Sequence, residues 1–312
     1  MVEVVILGSG GSIPTANRNH PAILLKYEGW NLLFDAGEDV QRRIEPFGIN
    51  RKMAIFVSHL HSDHLLGLPG ILLRFSLLGR IKPLQVYGPV GLINWVKMAQ
   101  STINLGTTFE TTVYGIEKGG TIFSDDCASI RTFEVDHRGF SLGYEFKHQR
   151  PTGTFLPEKA VELGVPKGSL WGKLASGDSV RLPNGTLVTP EQVTLPPNKG
   201  IKIVYSGDTR PCDAIREASE KADILIHEAM YTSDHTALAA ERGHSTASQA
   251  AEIAAECDVG LLVLTHYSPR YEDDEVLLEE AQGIFEKSVL AKDLMRISLS
   301  LDGTVSVENP ET

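Results

Sequence analysis

Met53-Ala54-Ile55-Phe56-Val57-Ser58-His59-Leu60-His61-Ser62-Asp63-His64 joins an unbroken apolar run to three imidazoles and a carboxylate within six residues. The run 53–57 reads as a buried strand. A strand ending in such a burst sets ligand-type side chains at its C-terminal edge, where a turn can fold them back around one point. His59 and His61, two apart, can face the same side, and Asp63 and His64 are set off by a turn to face a neighbouring centre. Histidines are common on surfaces and beside helix starts, but four donors at this spacing behind a strand point to a metal site.

Working outward, more donors fall at strand ends. His137 closes Ile130-Arg131-Thr132-Phe133-Glu134-Val135, and Asp208 follows Val204-Tyr205-Ser206-Gly207, where Gly207 lets the backbone turn sharply. His227-Glu228 follows Ile224 to Ile226, and His266 follows Val263-Leu264-Thr265. Alone, each is the kind of histidine or acid that hydrogen-bonds at a surface. Together they repeat one position, and layered α/β architectures gather ligands where strands end. Gly8-Ser9-Gly10-Gly11-Ser12 lacks the Lys of a nucleotide-binding loop and has no helix pattern behind it, so it reads as a tight turn packed under the metal site.

Strand and helix patterns alternate in two similar halves. The first holds strands at 2–7, 22–35 (a hairpin broken at Gly29) and 53–58, a helix at 64–79, a strand at 84–87 and a helix at 90–104. Several short strands follow through 111–146. The second holds strands at 201–205, 224–226 and 261–264, helices at 213–221, 245–256 and 275–286, and a closing hairpin at 295–307 around Asp302-Gly303. Between the halves, residues 147–200 carry seven prolines and seven glycines, too many breakers for a core layer. Phe155, Leu156, Val161, Leu163, Trp171 and Leu174 are too many apolar residues for a solvated linker. The stretch is expected to be a protruding arm with order of its own.

A chain of 312 residues with 42% hydrophobic and 22% charged content has the make-up of a soluble globular protein. No apolar run approaches the roughly 20 residues that span a bilayer. Met1-Val2-Glu3-Val4-Val5-Ile6-Leu7-Gly8 reads as a first strand and not as a signal peptide. Cys127, Cys212 and Cys257 are odd in number and widely spaced, which predicts a reducing cytoplasm without disulfides. The net charge of −11 argues at first against nucleic acid. Between Lys147 and Lys202, however, eight Lys/Arg stand against four Asp/Glu, a local +4 that leaves −15 for the rest.

The run SHLHSDHLLGLPG at 58–70, with His137, SGDT at 206–209, HEA at 227–229, HST at 244–246 and THYSPRY at 265–271, resembles the ribonuclease Z family of the metallo-β-lactamase superfamily. The likeness covers essentially the whole chain. The HxHxDH pattern alone marks only the superfamily; HEA and HST with the arm narrow it. Met230 departs from the Thr that many members carry after HEA. The resemblance implies an α/β fold, a four-layer αβ/βα sandwich forming one domain over 1–312, with the basic arm 148–197 inserted in it. It implies two zinc ions per subunit. His59, His61 and His137 would hold the first, Asp63, His64 and His266 the second, and Asp208 would bridge them. Imidazole and carboxylate donors suit zinc, with manganese or iron as alternatives.

The resemblance further implies cleavage of precursor tRNA after the discriminator nucleotide, releasing a 3′ trailer. Phosphodiester hydrolysis at neutral pH needs an activated water and charge relief on attacking and departing oxygens, which two divalent cations supply. Asp63 resembles the family's proton acceptor and His244 its general acid, with Glu228 holding the His244 tautomer. Without the resemblance, His244 would equally be a residue beside the Ser245/Thr246 helix cap. Ser268 and Arg270 could bind phosphate, or Arg270 could pair with Glu272-Asp273-Asp274. Lys159, Lys167 and Lys173 would grip the RNA backbone from the arm. Competing readings are a phosphodiesterase of small substrates, for which a remote clamp is superfluous, and a non-catalytic RNA-binding protein, which has no use for a two-metal centre. Members of the family are commonly homodimers in which one subunit's arm serves the other's site. The apolar helix Leu65 to Leu78 could supply an interface or simply pack the core.

Overall fold

The computed structural model describes residues 1–150, 152–197, 199–301 and 303–310. The first strands are β1 (Val2–Gly8), β2 (Ala22–Tyr27), β3 (Trp30–Phe34), β4 (Lys52–Phe56), β5 (Leu84–Pro89) and β6 (Thr111–Ile116). β7 (Gly120–Ser124), β8 (Ala128–His137) and β9 (Gly139–His148) follow, then the short β10 (Val180–Arg181) and β11 (Leu187–Val188). The chain ends with β12 (Ile201–Tyr205), β13 (Ile224–Glu228), β14 (Leu261–Thr265), β15 (Ser288–Leu290), β16 (Arg296–Leu299) and β17 (Val305–Glu308).

An eight-stranded sheet, β17-β16-β1-β2-β3-β4-β5-β6, stacks on a seven-stranded sheet, β15-β14-β13-β12-β9-β8-β7. Side chains alternate across each strand. In β4 and the residue after it, Ala54 and Phe56 point to the inter-sheet core, whereas Met53, Ile55 and Val57 meet a helical layer. That double burial is why the run is apolar at every position. Between the sheets Phe56 stacks on Phe34 at 5.2 Å and meets Tyr144 of β9 at 5.7 Å. Leu68, Ile71, Leu72 and Phe75 cover the outer face of the first sheet, and Ala250, Ile253 and Ala254 that of the second. The result is helix, sheet, sheet, helix, the layering the resemblance implies.

Two expectations change, and the sheets divide the chain differently from its two halves. The helix expected at 64–79 is two, Ser62–Leu65 and Leu68–Leu77. The Gly67 amide turns to the Ala36 carbonyl at 2.8 Å, and Pro69 has no amide to continue the first helix, so it starts the second. The short strands expected before 146 include two of ten residues each, β8 and β9. The two halves are not the two sheets: β7 to β9 join the second sheet, and the closing hairpin β16–β17 returns to the first, beside β1. Asp302 of the turn expected there lies outside the described residues. A helix at Thr236–Arg242 was not expected; its run Ala237-Leu238-Ala239-Ala240 is too short to show a period.

The 148–197 segment leaves from β9 and returns through β12, and these strands pair antiparallel with His148 opposite Ile201. Adjacent ends let it fold as a local excursion. Its own small core joins Ala160, Val165, Leu174, Val180, Val188 and Val193, with Phe155 and Trp171 packed at 5.3 Å. Three short helices and the β10–β11 hairpin surround it, and Thr189 and Gln192 cap one helix reciprocally.

Candidate metal centre

β3, β4, β12, β13 and β14 run in parallel groups, so their C-terminal ends open on one edge of the sandwich. Asp35, His59, Asp208, Glu228 and His266 stand at or just past those ends. Three corners need left-handed backbone: Asp35 (φ 58°), Gly207 (φ 60°) and His266 (φ 53°). For the two non-glycine residues this conformation costs energy and survives because the surrounding structure fixes it.

His59, His61, His137 and Asp208 form one group of donors whose ligand atoms lie within 4.8 Å of one another, and Asp63, His64 and His266 form a second. Asp208 lies between the groups: Oδ2 is 3.8 Å from His59 Nε2, and Oδ1 is 3.4 Å from His64 Nε2 and 3.3 Å from His266 Nε2. His61 Nδ1 faces His137 Nε2 at 3.3 Å. Fixed acceptors orient the rings from behind. His137 Nδ1 donates to the Gly243 carbonyl at 2.6 Å, and His64 Nδ1 donates to Asp35 Oδ2 at 2.7 Å. Their Nε2 atoms thereby face the centre.

This donor set fits divalent metal. His59 Nε2 and Asp208 Oδ1 are buried and make no hydrogen bond, a costly arrangement unless a cation meets them. The electrostatics agree. Burial alone would raise the Asp208 carboxyl, yet His266 and His64 hold it well below the usual carboxylate range. Burial keeps His59, His61 and His137 neutral, the form that binds metal. Burial also works against a charge on His64, but Asp208 and Asp35 hold it well above the ordinary histidine value. These carboxylates call for positive charge among them.

Asp35 is the carboxylate of the site that sequence reading overlooked; it holds His64 from behind instead of facing the donor groups. It is fully buried, and besides His64 it accepts from the Ser58 amide (2.7 Å), Ser58 Oγ (2.8 Å) and Tyr205 OH (2.7 Å). The available signal was an acid closing the apolar strand Leu32-Leu33-Phe34, the same position used by the other donors. The glycine-rich loop packs beneath: Ser12 N donates to Asp63 Oδ2 at 3.0 Å, and a Cβ on Gly11 would come within 2.8 Å of His266 Nδ1.

His244 Nδ1 donates to Glu228 Oε1 at 2.9 Å and lies 3.9 Å from Asp208 Oδ2. Glu228 is held by the amides of Thr209 (3.0 Å) and Met230 (3.1 Å). Burial disfavours a charged His244, but Glu228 and then Asp208 outweigh it and push the imidazole up to about 9. The helix cap beside it is Thr246, in a reciprocal box with Gln249. His227, by contrast, belongs to none of the donor groups, and its Nδ1 donates to the carbonyl of Glu228. Ser268 is buried, its Oγ accepting from the Arg270 amide at 3.3 Å. Arg270 lies over the Tyr231 ring at 4.9 Å, while Asp274 of the acidic run pairs with Arg18 instead. Lys159, Lys167 and Lys173 are exposed on the arm, Lys167 resting over Trp171.

Comparison with known proteins places this geometry. Residues 183–267 match the beta-lactamase superfamily domain, and residues 2–97 match the anti-Pycsar protein Apyc1 family. The ribonuclease Z of Methanosarcina acetivorans is 41% identical over 303 residues, covering 96% of this chain and 98% of that protein. That of Gemmatimonas aurantiaca is 41% identical over 304 residues, covering 96% of each. The crystal structure of the short form of human tRNase Z superposes with a TM-score of 0.69 at 27% identity, covering 95% of this chain and 98% of that one. The four layers are the metallo-β-lactamase fold, and with likeness of this extent the chain belongs to the ribonuclease Z family.

Proposed function

We propose that this chain is an endoribonuclease that removes the 3′ trailer from precursor tRNA, leaving a 3′-hydroxyl on the tRNA and a 5′-phosphate on the trailer. The observation that carries the reading is 41% identity to a ribonuclease Z over nearly the whole chain, together with the convergence of His59, His61, His137, Asp208, Asp63, His64 and His266. Those seven residues would hold two divalent cations, zinc for this donor set. When bound, the pair lowers the pKa of water and offsets charge on the reacting oxygens. Asp63 then accepts the proton of the attacking water. The oxygen attacks phosphorus, the P–O3′ bond breaks, and His244 Nε2 gives its proton to the departing O3′. Glu228 supports this by holding Nδ1 as donor, which leaves Nε2 to face the substrate.

The arm supplies the grip on RNA, within a single domain. It leaves β9 at His148, the end away from the centre. Nine residues of extended strand from Gly139 place it ~30 Å away. A folded RNA can bridge that distance, whereas a small phosphodiester cannot, which favours tRNA over the small-substrate reading. The distance also suits a homodimer in which each arm serves the other subunit. Leu66, Leu73, Leu77, Leu78 and Ile81 leave an apolar face exposed beside the centre's own helices. Among the described residues no helix is long and apolar enough to cross a membrane. A cytoplasmic location is part of this reading, as its ribonuclease Z relatives suggest.

The test is incubation of the zinc-loaded protein with a 3′-extended precursor tRNA and with bis(p-nitrophenyl) phosphate, for the full chain and for a variant lacking 151–195. The full chain should cut the tRNA at one position. The deletion should lower that activity by about a hundredfold or more, as loss of several phosphate contacts entails, and spare the small ester. Absence of tRNA cleavage by the full chain would refute the reading; equal loss of both activities would make the arm structural.

A further inference from the structure

The metal centre opens on one side into a cleft of about 520 Å³ that the reaction scheme leaves unassigned. Resting on the endoribonuclease reading above, the geometry points to this cleft as the seat of the first trailer nucleotide's base. His59 and His61 form its inner end, and Leu60, Val90 and Phe140 its apolar walls. Leu60 and Val90 are 40% and 44% exposed, so apolar surface stands open beside a polar catalytic centre. The volume falls within the ordinary range for small-ligand sites and exceeds what one nucleobase needs. Phe140 offers a ring to stack on, and the aliphatic side chains of Leu60 and Val90 line the same cleft.

Direction follows from the proton donor. His244 does not line the cleft. It neighbours His137, ring centroids 5.1 Å apart, and Tyr231 follows it at 6.2 Å with Arg270 over that ring; neither Tyr231 nor Arg270 lines the cleft. The nucleoside whose O3′ departs must sit where His244 can reach that oxygen, so the tRNA end occupies the Tyr231 and Arg270 side. The phosphate remains with the trailer, and its nucleoside continues past His61 into the cleft. Charge at the rim agrees. Arg138 and Glu117 both line the cleft and are exposed, and among the described residues neither forms an ion pair. A polyanion leaving the cleft is attracted to Arg138 and repelled by Glu117, so the next trailer phosphate passes on the Arg138 side. The contacts are apolar and stacking, which predicts little discrimination among the four bases.

The test compares a precursor tRNA with an intact first trailer nucleotide and the same RNA abasic at that position, both cut by the zinc-loaded full chain. The intact substrate should have a kcat/KM about tenfold higher or more, the scale of one base–aromatic stack. Phe140→Ala should remove most of that preference, and Val90→Asp, at an exposed position that does not depend on core packing, should do the same. Adenosine 5′-monophosphate should compete with substrate far better than ribose 5-phosphate, since only the former fills the cleft. Equal cleavage of the two RNAs by the unaltered protein would overturn the assignment, as would a preference that survives both substitutions. If neither RNA is cut, the endoribonuclease reading itself fails, a result distinct from loss of the preference.

Discussion

Asp35→Asn changes one charge and almost no volume, at a φ of 58° that Asn tolerates. Asp35 Oδ1 accepts from the Ser58 amide, while Oδ2 accepts from Ser58 Oγ, Tyr205 OH and His64 Nδ1, all at 2.7 to 2.8 Å. With Asn, the carbonyl oxygen keeps the Ser58 amide, while the new amino group has two N–H for three neighbours; the hydroxyls can rotate to accept one of them or bond elsewhere. The imidazole cannot reverse without moving its proton. An N–H facing Nδ1 favours the tautomer protonated at Nε2, the atom 3.4 Å from Asp208 Oδ1 and aimed at the centre. Flipping the amide gains nothing, because its N–H would then oppose the Ser58 amide. A protonated Nε2 has no lone pair for a cation. Losing one charge-assisted bond of about 1.5–3 kcal/mol matches the ~10–100-fold loss of metal affinity usual for outer partners of ligating histidines. Competition between the metal-free protein and a chromophoric chelator for zinc measures it, with urea unfolding of both metal-free forms as control. One site should weaken by that factor while the other holds. Unchanged affinity at both sites would refute the claim that Asp35 sets the His64 tautomer.

Glu228→Gln should shift the pH dependence of kcat. A general acid works only while protonated, so activity falls as pH rises through the His244 pKa. The carboxylate is what pushes that imidazole up, against burial, so its neutral replacement should move the alkaline limb to lower pH with metal content unchanged. An unmoved limb would disconnect His244 from the protonation that limits turnover. Leu77→Glu with Ile81→Glu, at positions 77% and 80% exposed, should convert a dimer to monomer in sedimentation velocity. Stability should change by less than about 0.5 kcal/mol for each substitution, as is usual at exposed positions. A dimer that persists would exclude that face as the interface.

The centre was legible because metal chemistry restricts residue types. His59, His61, Asp63 and His64 crowd one turn, and His137, Asp208 and His266 repeat a single position behind apolar strands. Geometry then completes what types and spacing suggest. Asp35 escaped because an acid after a strand looks like any turn residue; only its burial against His64 and Tyr205, far away in sequence, sets it apart. Sheet membership escaped for a related reason. The alternation in β8 and β9 says that they are strands with one face inward, but pairing with β12 instead of β6 leaves no local trace. The closing hairpin gives the same lesson: nothing in 296–308 announces β1 as its neighbour. Gly67 with Pro69 did carry the break in the helix, but a proline near a helix start and a proline interrupting one look alike until the boundary is known.

The charge pattern and the topology answer the same physical problem. A body bearing −15 against the +4 of residues 147–202 repels RNA, and a centre built from Asp63 and Asp208 brings further negative charge to the site. Bound metal would therefore do two things at once: satisfy buried donors that otherwise make no hydrogen bond, and add positive charge to that edge of the sandwich. The arm adds its own, carried by lysines on a small separate core, so its charge does not have to be accommodated in the main fold. The antiparallel pairing of β9 with β12 separates the two by the length of a strand. On the proposed reading, an RNA long enough to touch both would gain from each, while a mononucleotide would reach only one. If the arm grips RNA as proposed, selectivity for a large folded substrate would follow from where the insertion leaves the sheet, without any sequence-specific contact.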